Sequence, residues 1–284
     1  GLSQPNIVEM VVREAANRIE DLISSGVQFD SDDMGFDLAM EGGHSSRRIL
    51  HAKDATGAEI ERALIVEARA SPNLELLESH MAVDLILKEK NAENKAIVGI
   101  WVLAPDGEVR TIPTQAVIIA TGGAGHIYRQ TTNPPVATGD GIAMAHRAGA
   151  IVRDLEFVQF HPTALALSGE RPFLISEALR GHGAVLMTTE GRAKWEDEGG
   201  PPSQFSFMLK HDSRGSLATR DIVARAADQE MKRTGENSVW LVTSHLEKQN
   251  VQERFPTIHA RLQTHGLELG VDALPVAPAA HYMV

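Results

Sequence analysis

A small set of cations, carboxylates and hydroxyls stands at the predicted ends of helices and strands, where side chains can reach a ligand. Within this set, His161 follows an apolar run in EFVQFHPTAL (156–165) and directly precedes a proline. Proline fixes an extended or turn geometry, so the imidazole is held at the end of its element. The pattern predicts either a hydrogen-bonded histidine that caps a strand or a rigidly held ligand-binding group. The whole set comprises Glu41, His44, His161, Ser176, Glu177, Arg180, Arg220 and His281.

Arg220 is placed unfavourably for helix stability. A helix is predicted over about residues 219–233, with Thr219 as its N-cap and Gly235 after its end. A cation in the first turn opposes the helix dipole by ~0.3–1 kcal/mol, and Asp221 offsets only part of this. An anionic ligand therefore explains Arg220 better than stability does. The predicted apolar side of the helix consists of Ile222, Val223, Ala226, Ala227 and Met231.

The composition and the missing motifs exclude several classes of protein. The 27 Lys and Arg against 38 Asp and Glu give a net charge of −11, which disfavours nucleic acid and anionic membrane as partners. There is no cysteine, no His-Glu-x-x-His and no Gly-x-Ser-x-Gly, so we predict no metal site and no serine or thiol nucleophile. No apolar run approaches the ~20 residues of a membrane span, and the first residues lack the features of a secretory signal. We expect a cytoplasmic protein.

The elements that must position these residues follow from periodicity and turn signals. A surface helix is predicted over 6–25, ended by Gly26, and a small β-meander over NLELLES, AVDLILK, AIVGIWVLA and EVRTIP. AVIIATGG (116–123) is predicted to be a buried parallel strand that meets a ligand at its carboxyl end. TGDGIAMAHRAGA (138–150) is predicted to be a glycine-rich turn that opens a helix. The fingerprint Gly-x-Gly-x-x-Gly is absent, because Tyr128 stands three residues after Gly125.

Several long motifs occur together and in one order along the chain. In this combination the sequence resembles the L-aspartate oxidase family, a branch of the flavoproteins that include succinate dehydrogenase and fumarate reductase. EGGHS, HPTAL and the RDIVARA helix favour the amino-acid oxidases over their dicarboxylate relatives. The motifs are MEGGHSSRRILHAKDATG (40–57), AVIIATGGAG (116–125), TTNPPVATGDGIAMAHRAGA (131–150), LEFVQFHPTAL (155–165), LISEALRGHGA (174–184), RDIVARA (220–226) and PVAPAAHY (275–282).

The resemblance implies an α/β fold: part of an FAD-binding Rossmann-like domain with a β-meander, interrupted by an inserted α+β capping domain. The implied partial FAD-binding domain covers 1–157, the capping domain 158–274, and the return into the FAD-binding domain 275–284, with the active site between the domains. The chain is then an internal fragment that lacks the N-terminal glycine-rich fingerprint and the C-terminal part. By itself it is expected to bind FAD weakly or not at all.

The implied reaction is the oxidation of L-aspartate to iminoaspartate by hydride transfer to FAD. Oxygen or fumarate is the implied electron acceptor, and the reaction belongs to quinolinate and NAD biosynthesis, which allows functional coupling to quinolinate synthase. Two alternatives stay open. One is a soluble fumarate reductase or succinate dehydrogenase flavoprotein subunit, and the other is that this chain alone is an inactive fragment without stable FAD binding.

The resemblance also implies roles for individual residues. Arg220 matches the active-site arginine that binds substrate, and Glu41 matches an acidic residue near the substrate ammonium group; these two are the predicted catalytic residues. The predicted substrate-binding residues are His161, Ser176, Glu177 and His281. The predicted FAD-binding residues are Thr121, Gly122, Gly123 and Asp140. At His182 an imidazole replaces the acid of the family's Arg-Gly-Glu-Gly, which predicts an altered pH dependence near neutrality.

Overall fold

The computed structural model describes residues 3–33, 35–41, 44–91 and 94–283. Gly42 and Gly43 of the motif MEGGHSSRRILHAKDATG (40–57) lie outside the described residues. The helices are α1 Pro5–Ser24, α2 Thr56–Ala70, α3 Asp140–Arg147, α4 Glu177–Gly181, α5 Thr189–Glu198, α6 Arg220–Thr234, α7 Lys248–Arg254 and α8 Pro256–Gln263. The strands are β1 Ser31–Asp32, β2 Gly35–Phe36, β3 Leu38–Ala39, β4 Ile49–Leu50, β5 Met81–Asn91, β6 Asn94–Leu103, β7 Val109–Pro113, β8 Val158–Leu165, β9 Phe173–Leu174, β10 Val185–Met187, β11 Val239–Val242 and β12 Leu274–Met283.

The chain divides into two compact units. Unit 1 consists of Gly1–Leu76, Ser176–Gly183 and Thr243–Asp272, and unit 2 of Leu77–Ile175, Ala184–Val242 and Ala273–Val284. These units are defined by packing within this chain, and the domain boundaries given above stay a prediction.

Unit 1 contains α1, α2, α4, α7, α8 and the two short hairpins β1–β2 and β3–β4. The carboxylate of Asp54 accepts the backbone N–H groups of Thr257 and Ile258 at 3.1 and 2.8 Å, which satisfies free donors at the start of α8. The predicted helix over 6–25 is confirmed as α1, and Gly26 follows its end with a φ of 94°. The buried apolar residues of this unit are Val27, Ala63, Leu179, Val251, Phe255, Ile258, Leu262 and Leu269.

Unit 2 is built on a five-stranded antiparallel sheet in the order β10-β11-β12-β8-β9. Helix α6 packs on β8 and β12, and its buried side chains Val223, Ala226 and Ala227 face the core, as the apolar spacing predicted. Gly235 ends α6 in the left-handed conformation, with a φ of 73°. This packing fixes the start of α6, and with it Arg220, next to the central strands of the sheet.

The predicted β-meander is confirmed as a separate antiparallel sheet in the order β5-β6-β7. Its first predicted run, NLELLES, is not a strand, and the sheet begins only at Met81. Arg147 at the end of α3 binds Asp84 of β5 through Nε at 2.7 Å. This ion pair therefore connects α3, the helix that follows the TGDG turn, to the β-meander.

The prediction of a buried parallel strand at AVIIATGG is wrong for this chain. Residues 116–123 are extended but form no strand, and the side chain of Ile118 is 92% exposed. Among the described residues no strand pairs with this segment, and every described ladder is antiparallel. An apolar run becomes a strand only when neighbouring strands accept and donate its backbone hydrogen bonds.

Over the described part of the chain, no helix has the length and apolar character needed to cross a membrane.

Candidate active site

His161 is almost completely buried in β8, at 1% exposure, where it pairs with Ala279 of β12. The backbone N–H of Thr163 donates to its Nδ1 at 3.3 Å. The hydroxyl of Thr163 donates elsewhere, to the carbonyl oxygen of Ile175 at 2.9 Å. Nδ1 is thus an acceptor, and the ring proton of the neutral imidazole lies on Nε2. Because Pro162 has no N–H, the Thr163 amide is the nearest following donor, which gives the His-Pro-Thr order a structural reason.

His281 lies beside His161 in unit 2. The two ring centroids are 5.2 Å apart, and the rings meet edge to face at 65°. Burial lowers the pKa of the His281 imidazole, and the positive charge of Arg220 lowers it further. His281 is therefore neutral at pH 7, and its Nδ1 lies 2.8 Å from the hydroxyl oxygen of Thr132.

Arg220 is the first residue of α6, as the sequence predicted, and its Nη1 donates to Oε1 of Gln159 at 3.1 Å. Thr219 occupies the N-cap position but makes no side-chain cap. Its hydroxyl donates to the carboxylate of Asp221 at 2.7 Å. Gln159 is a neutral amide, so this hydrogen bond orients the guanidinium without adding a charge beside it.

Unit 2 therefore brings together two imidazoles, His161 and His281, and the guanidinium of Arg220. Nε2–H donors and a guanidinium are groups that bind a carboxylate, and the two imidazoles add hydrogen bonds without requiring a proton from solvent. Of the predicted site residues, the structure places His161, His281 and Arg220 in this cluster.

The other predicted substrate-binding residues, Ser176 and Glu177, lie in unit 1 at the start of α4. Ser176 is the N-cap, and its hydroxyl oxygen accepts the N–H of Ala178 at 3.2 Å. Glu177 and Arg180 are 4% and 0% exposed, and Nη2 of Arg180 donates to Oε1 of Glu177 at 2.7 Å. This ion pair joins two residues one helical turn apart and is buried.

Glu41 is positioned in unit 1 by a close backbone contact with the end of α4. A Cβ on Gly181 would lie 2.4 Å from the carbonyl oxygen of Met40 and 3.7 Å from Cα of Glu41. Only glycine permits this approach, so the Met40–Glu41 backbone lies directly against α4. Glu41 and Glu177 are therefore carried by segments that touch each other.

His182, which follows Gly181, packs edge to face on Phe255 with ring centroids 5.6 Å apart. Burial lowers the pKa of His182, and the charge of Arg254 lowers it further. Arg47 contributes a smaller lowering, and a hydrogen bond with Asn250 opposes the shift. His182 is therefore neutral at pH 7, whereas a glutamate there would be charged beside two arginines.

The four predicted FAD-binding residues come together in unit 2. A Cβ on Gly141 would lie 1.9 Å from Oγ1 of Thr121, so the TGG segment and the start of α3 adjoin only because residue 141 is glycine. Gly122 has a φ of 69°, with open space beyond it. The carboxylate of Asp140 accepts a hydrogen bond from the Thr138 hydroxyl at 2.5 Å. An exposed glycine backbone beside a helix N-terminus is a chemistry that holds a phosphorylated cofactor.

Two residues that hydrogen-bond to the predicted site residues were not predicted from the sequence. Gln159 stands two residues before His161 in the same strand and so shares its face, a signal that period-two spacing could have given. Thr132 lies 149 residues before His281, and only the fold brings them together. In the described part of the chain, no group of three histidine, aspartate or glutamate side chains is arranged to hold a metal ion.

Comparison of the chain with known protein families identifies its family. The family described as FAD binding domain matches residues 1–284 of this chain. The chain belongs to the FAD-binding domain family. This membership indicates FAD as the cofactor, in agreement with the prediction from the motifs.

Individual relatives of this FAD-binding chain are named L-aspartate oxidase. One, from Ralstonia nicotianae, is 45% identical over 99% of this chain and 51% of its own length. Another, from Yersinia pestis, is 44% identical over 99% of this chain and 52% of its own length. The chain spans about half the length of these relatives. A solved structure titled Quinol-Fumarate Reductase with Menaquinol Molecules superimposes with a TM-score of 0.83 at 28% identity, over 98% of this chain and 48% of that one. The predicted fold class, an FAD-binding domain of this flavoprotein group, is thereby confirmed.

Proposed function

We propose that the complete protein is an FAD-dependent oxidase that converts L-aspartate to iminoaspartate, with oxygen or fumarate as the electron acceptor. The observation that carries this proposal is the cluster of His161, His281 and Arg220 in unit 2. An acidic protein that binds a dicarboxylate must concentrate donors and positive charge locally, and this cluster does so. The 44–45% identity to named L-aspartate oxidases supports the choice of aspartate.

In this proposal the chain's own residues bind and orient the substrate. Arg220 pairs with a substrate carboxylate through charge-assisted hydrogen bonds, while Nε2–H of His161 and of His281 donate to carboxylate oxygens. Glu41 receives the ammonium group, and Ser176 and Glu177 remain predicted substrate-binding residues. Because its pKa is lowered, His281 is a neutral donor near pH 7 and binds the dianion without prior protonation.

The residues that would hold FAD are Thr121, Gly122, Gly123 and Asp140. They fit such a group, since Gly122 presents an open, side-chain-free backbone and Asp140 lies in the first turn of α3. A carboxylate at this position suits ribose hydroxyls, which are hydrogen-bond donors. When bound, FAD supplies an acceptor for the two electrons and the hydrogen that leave Cα of aspartate.

The runner-up function is that of a fumarate reductase or succinate dehydrogenase flavoprotein subunit. The superposition on a quinol-fumarate reductase favours it, and the carboxylate-binding cluster would serve succinate or fumarate equally well. The substrates of the two functions differ in one group. Aspartate carries an ammonium group, for which Glu41 is the proposed partner, whereas succinate and fumarate carry none.

The experiment that separates them is a steady-state comparison on the full-length, FAD-loaded protein. Oxidation of L-aspartate and of succinate should be measured with the same acceptor, in the wild type and in Glu41→Gln. We expect aspartate oxidation in the wild type and a selective rise of KM for aspartate in the variant. Turnover of succinate or fumarate with no turnover of aspartate would establish the runner-up instead.

For the 284-residue chain alone, we propose weak FAD binding. The support is that most of residues 116–121 are exposed and that no described strand pairs with them. Desalting the chain after incubation with FAD checks this, and flavin retained in equal amount to protein would contradict it. For the complete protein we further propose a cytoplasmic location, a role in quinolinate and NAD biosynthesis, and coupling to quinolinate synthase, which would consume iminoaspartate.

A further inference from the structure

We infer that Thr132 is a positioning residue whose hydroxyl fixes the tautomer of His281, so that Nε2–H of His281 can donate to a carboxylate of the ligand. The ligand in this statement rests on the proposed function, whereas the hydrogen bond between Thr132 and His281 does not. Thr132 lies in the segment 130–133, next to the backbone of β12.

The hydrogen of the Thr132 hydroxyl has one good acceptor among its recorded partners. Its oxygen is 2.8 Å from Nδ1 of His281 and 3.5 Å from the carbonyl oxygen of Ala280. That carbonyl already accepts the Thr131 hydroxyl at 2.9 Å and the Thr132 N–H at 3.0 Å. A carbonyl oxygen has two lone pairs, so the Thr132 hydroxyl hydrogen points to His281.

His281 is able to accept this hydrogen because its ring is neutral. Burial and the charge of Arg220 both lower its pKa, so Nδ1 carries no proton when it accepts from Thr132. The other titratable side chains beside the ring are His161 and Tyr282, with ring centroids at 5.2 and 5.6 Å. Thr132 thus does for His281 what the Thr163 amide does for His161, and both rings present Nε2–H.

The backbone around Thr132 is held independently of its side chain. Ala280 donates its N–H to the carbonyl oxygen of Gln130 at 2.9 Å, and Thr131 and Ala280 form a parallel bridge. The guanidinium of Arg171 donates to the carbonyl oxygens of Thr132, at 3.1 Å, and of Asn133. A substitution confined to the Thr132 side chain therefore removes the hydroxyl and leaves these backbone contacts in place.

The test uses the full-length, FAD-loaded protein with Thr132→Val, which keeps the side-chain shape, and Thr132→Ser, which keeps the hydroxyl. Thr111→Val, an exposed threonine of β7, is the matched control. The first readout is the 15N chemical shift of both ring nitrogens of His281, assigned by comparison with His281→Asn. The second is the Kd of succinate, used as a dicarboxylate probe.

We expect the wild type, Thr132→Ser and Thr111→Val to show unprotonated Nδ1 and protonated Nε2 at pH 7.5. In Thr132→Val we expect both tautomers and succinate binding about tenfold weaker, the loss of one oriented hydrogen bond. A protonated Nδ1 in the wild type would overturn the inference even if Thr132→Val failed to fold. Unchanged tautomer and affinity in Thr132→Val, or no recovery in Thr132→Ser, would also overturn it. If these results hold but aspartate is not oxidised, only the proposed function fails.

Discussion

Replacing Arg220 by leucine should separate ligand binding from folding. The change removes the hydrogen bond to Gln159, worth about 1 kcal/mol, and also removes a cation from the first turn of α6, which returns ~0.3–1 kcal/mol. These two contributions have opposite signs and partly cancel, and the urea midpoint of the variant measures what remains. FAD binding, assigned to residues at the start of α3, should be unaffected.

Ligand binding should change far more than stability. A hydrogen bond to a charged group contributes ~1.5–3 kcal/mol, so the Kd of succinate should rise by roughly 10- to 150-fold. Removing the positive charge beside His281 should also raise the pKa of that imidazole toward its usual value, because the imidazolium form is no longer repelled.

The assay is isothermal titration of the full-length, FAD-loaded protein with succinate, combined with urea unfolding. Arg225→Leu is the matched control, since Arg225 lies on the same helix, is exposed and pairs with Asp221 at 2.6 Å. An Arg220→Leu variant that bound succinate as tightly as Arg225→Leu would refute the assignment of Arg220 to carboxylate binding.

Three further perturbations test the local physics. Glu177→Gln should lower the unfolding free energy by about 3 kcal/mol, because it breaks a buried ion pair with Arg180. Glu190→Gln, which breaks an exposed ion pair, should change the unfolding free energy little. Equal urea midpoints in the two variants would contradict this. Because the His182 pKa is lowered by folding, the unfolded chain binds more protons there and the protein loses stability as pH falls below about 6.5. His182→Gln should therefore lose less stability than the wild type between pH 7.5 and 5, and parallel losses would exclude the effect. Gly141→Ala should displace Thr121 and weaken FAD binding. Gly57→Ala in α2 is the control and should be neutral or stabilising by ~0.5–1 kcal/mol. Undiminished flavin retention in Gly141→Ala would contradict the close approach of residue 141 to Thr121.

Local patterns predicted the elements that carry their own signals. The apolar periodicity and the glycine after each end located α1 and α6, and period-two runs located the β-meander. The same reasoning failed at residues 116–123, because a strand depends on backbone partners supplied by other parts of a protein. NLELLES failed for a related reason, since its apolar spacing alone does not provide a pairing edge.

The candidate site was likewise predictable from the sequence only where local patterns carried the signal. The position of His161 before a proline and the unfavourable place of Arg220 in its helix were visible in the sequence. The tautomers were not, because they depend on hydrogen bonds from the Thr163 backbone N–H and the Thr132 hydroxyl, which the fold brings to the two rings. For Glu177 the sequence predicted a role in substrate binding, and the structure shows in addition that its carboxylate is buried against Arg180.

The most direct test of the central claim is anaerobic mixing of the full-length, FAD-loaded protein with L-aspartate, followed by its visible absorption. We expect the flavin absorption to bleach with a rate that saturates in aspartate concentration and to bleach far more slowly with succinate. We expect Arg220→Leu to retain flavin but not to bleach. Bleaching by succinate without bleaching by aspartate, or full bleaching in Arg220→Leu, would contradict the assignment of this site to aspartate oxidation.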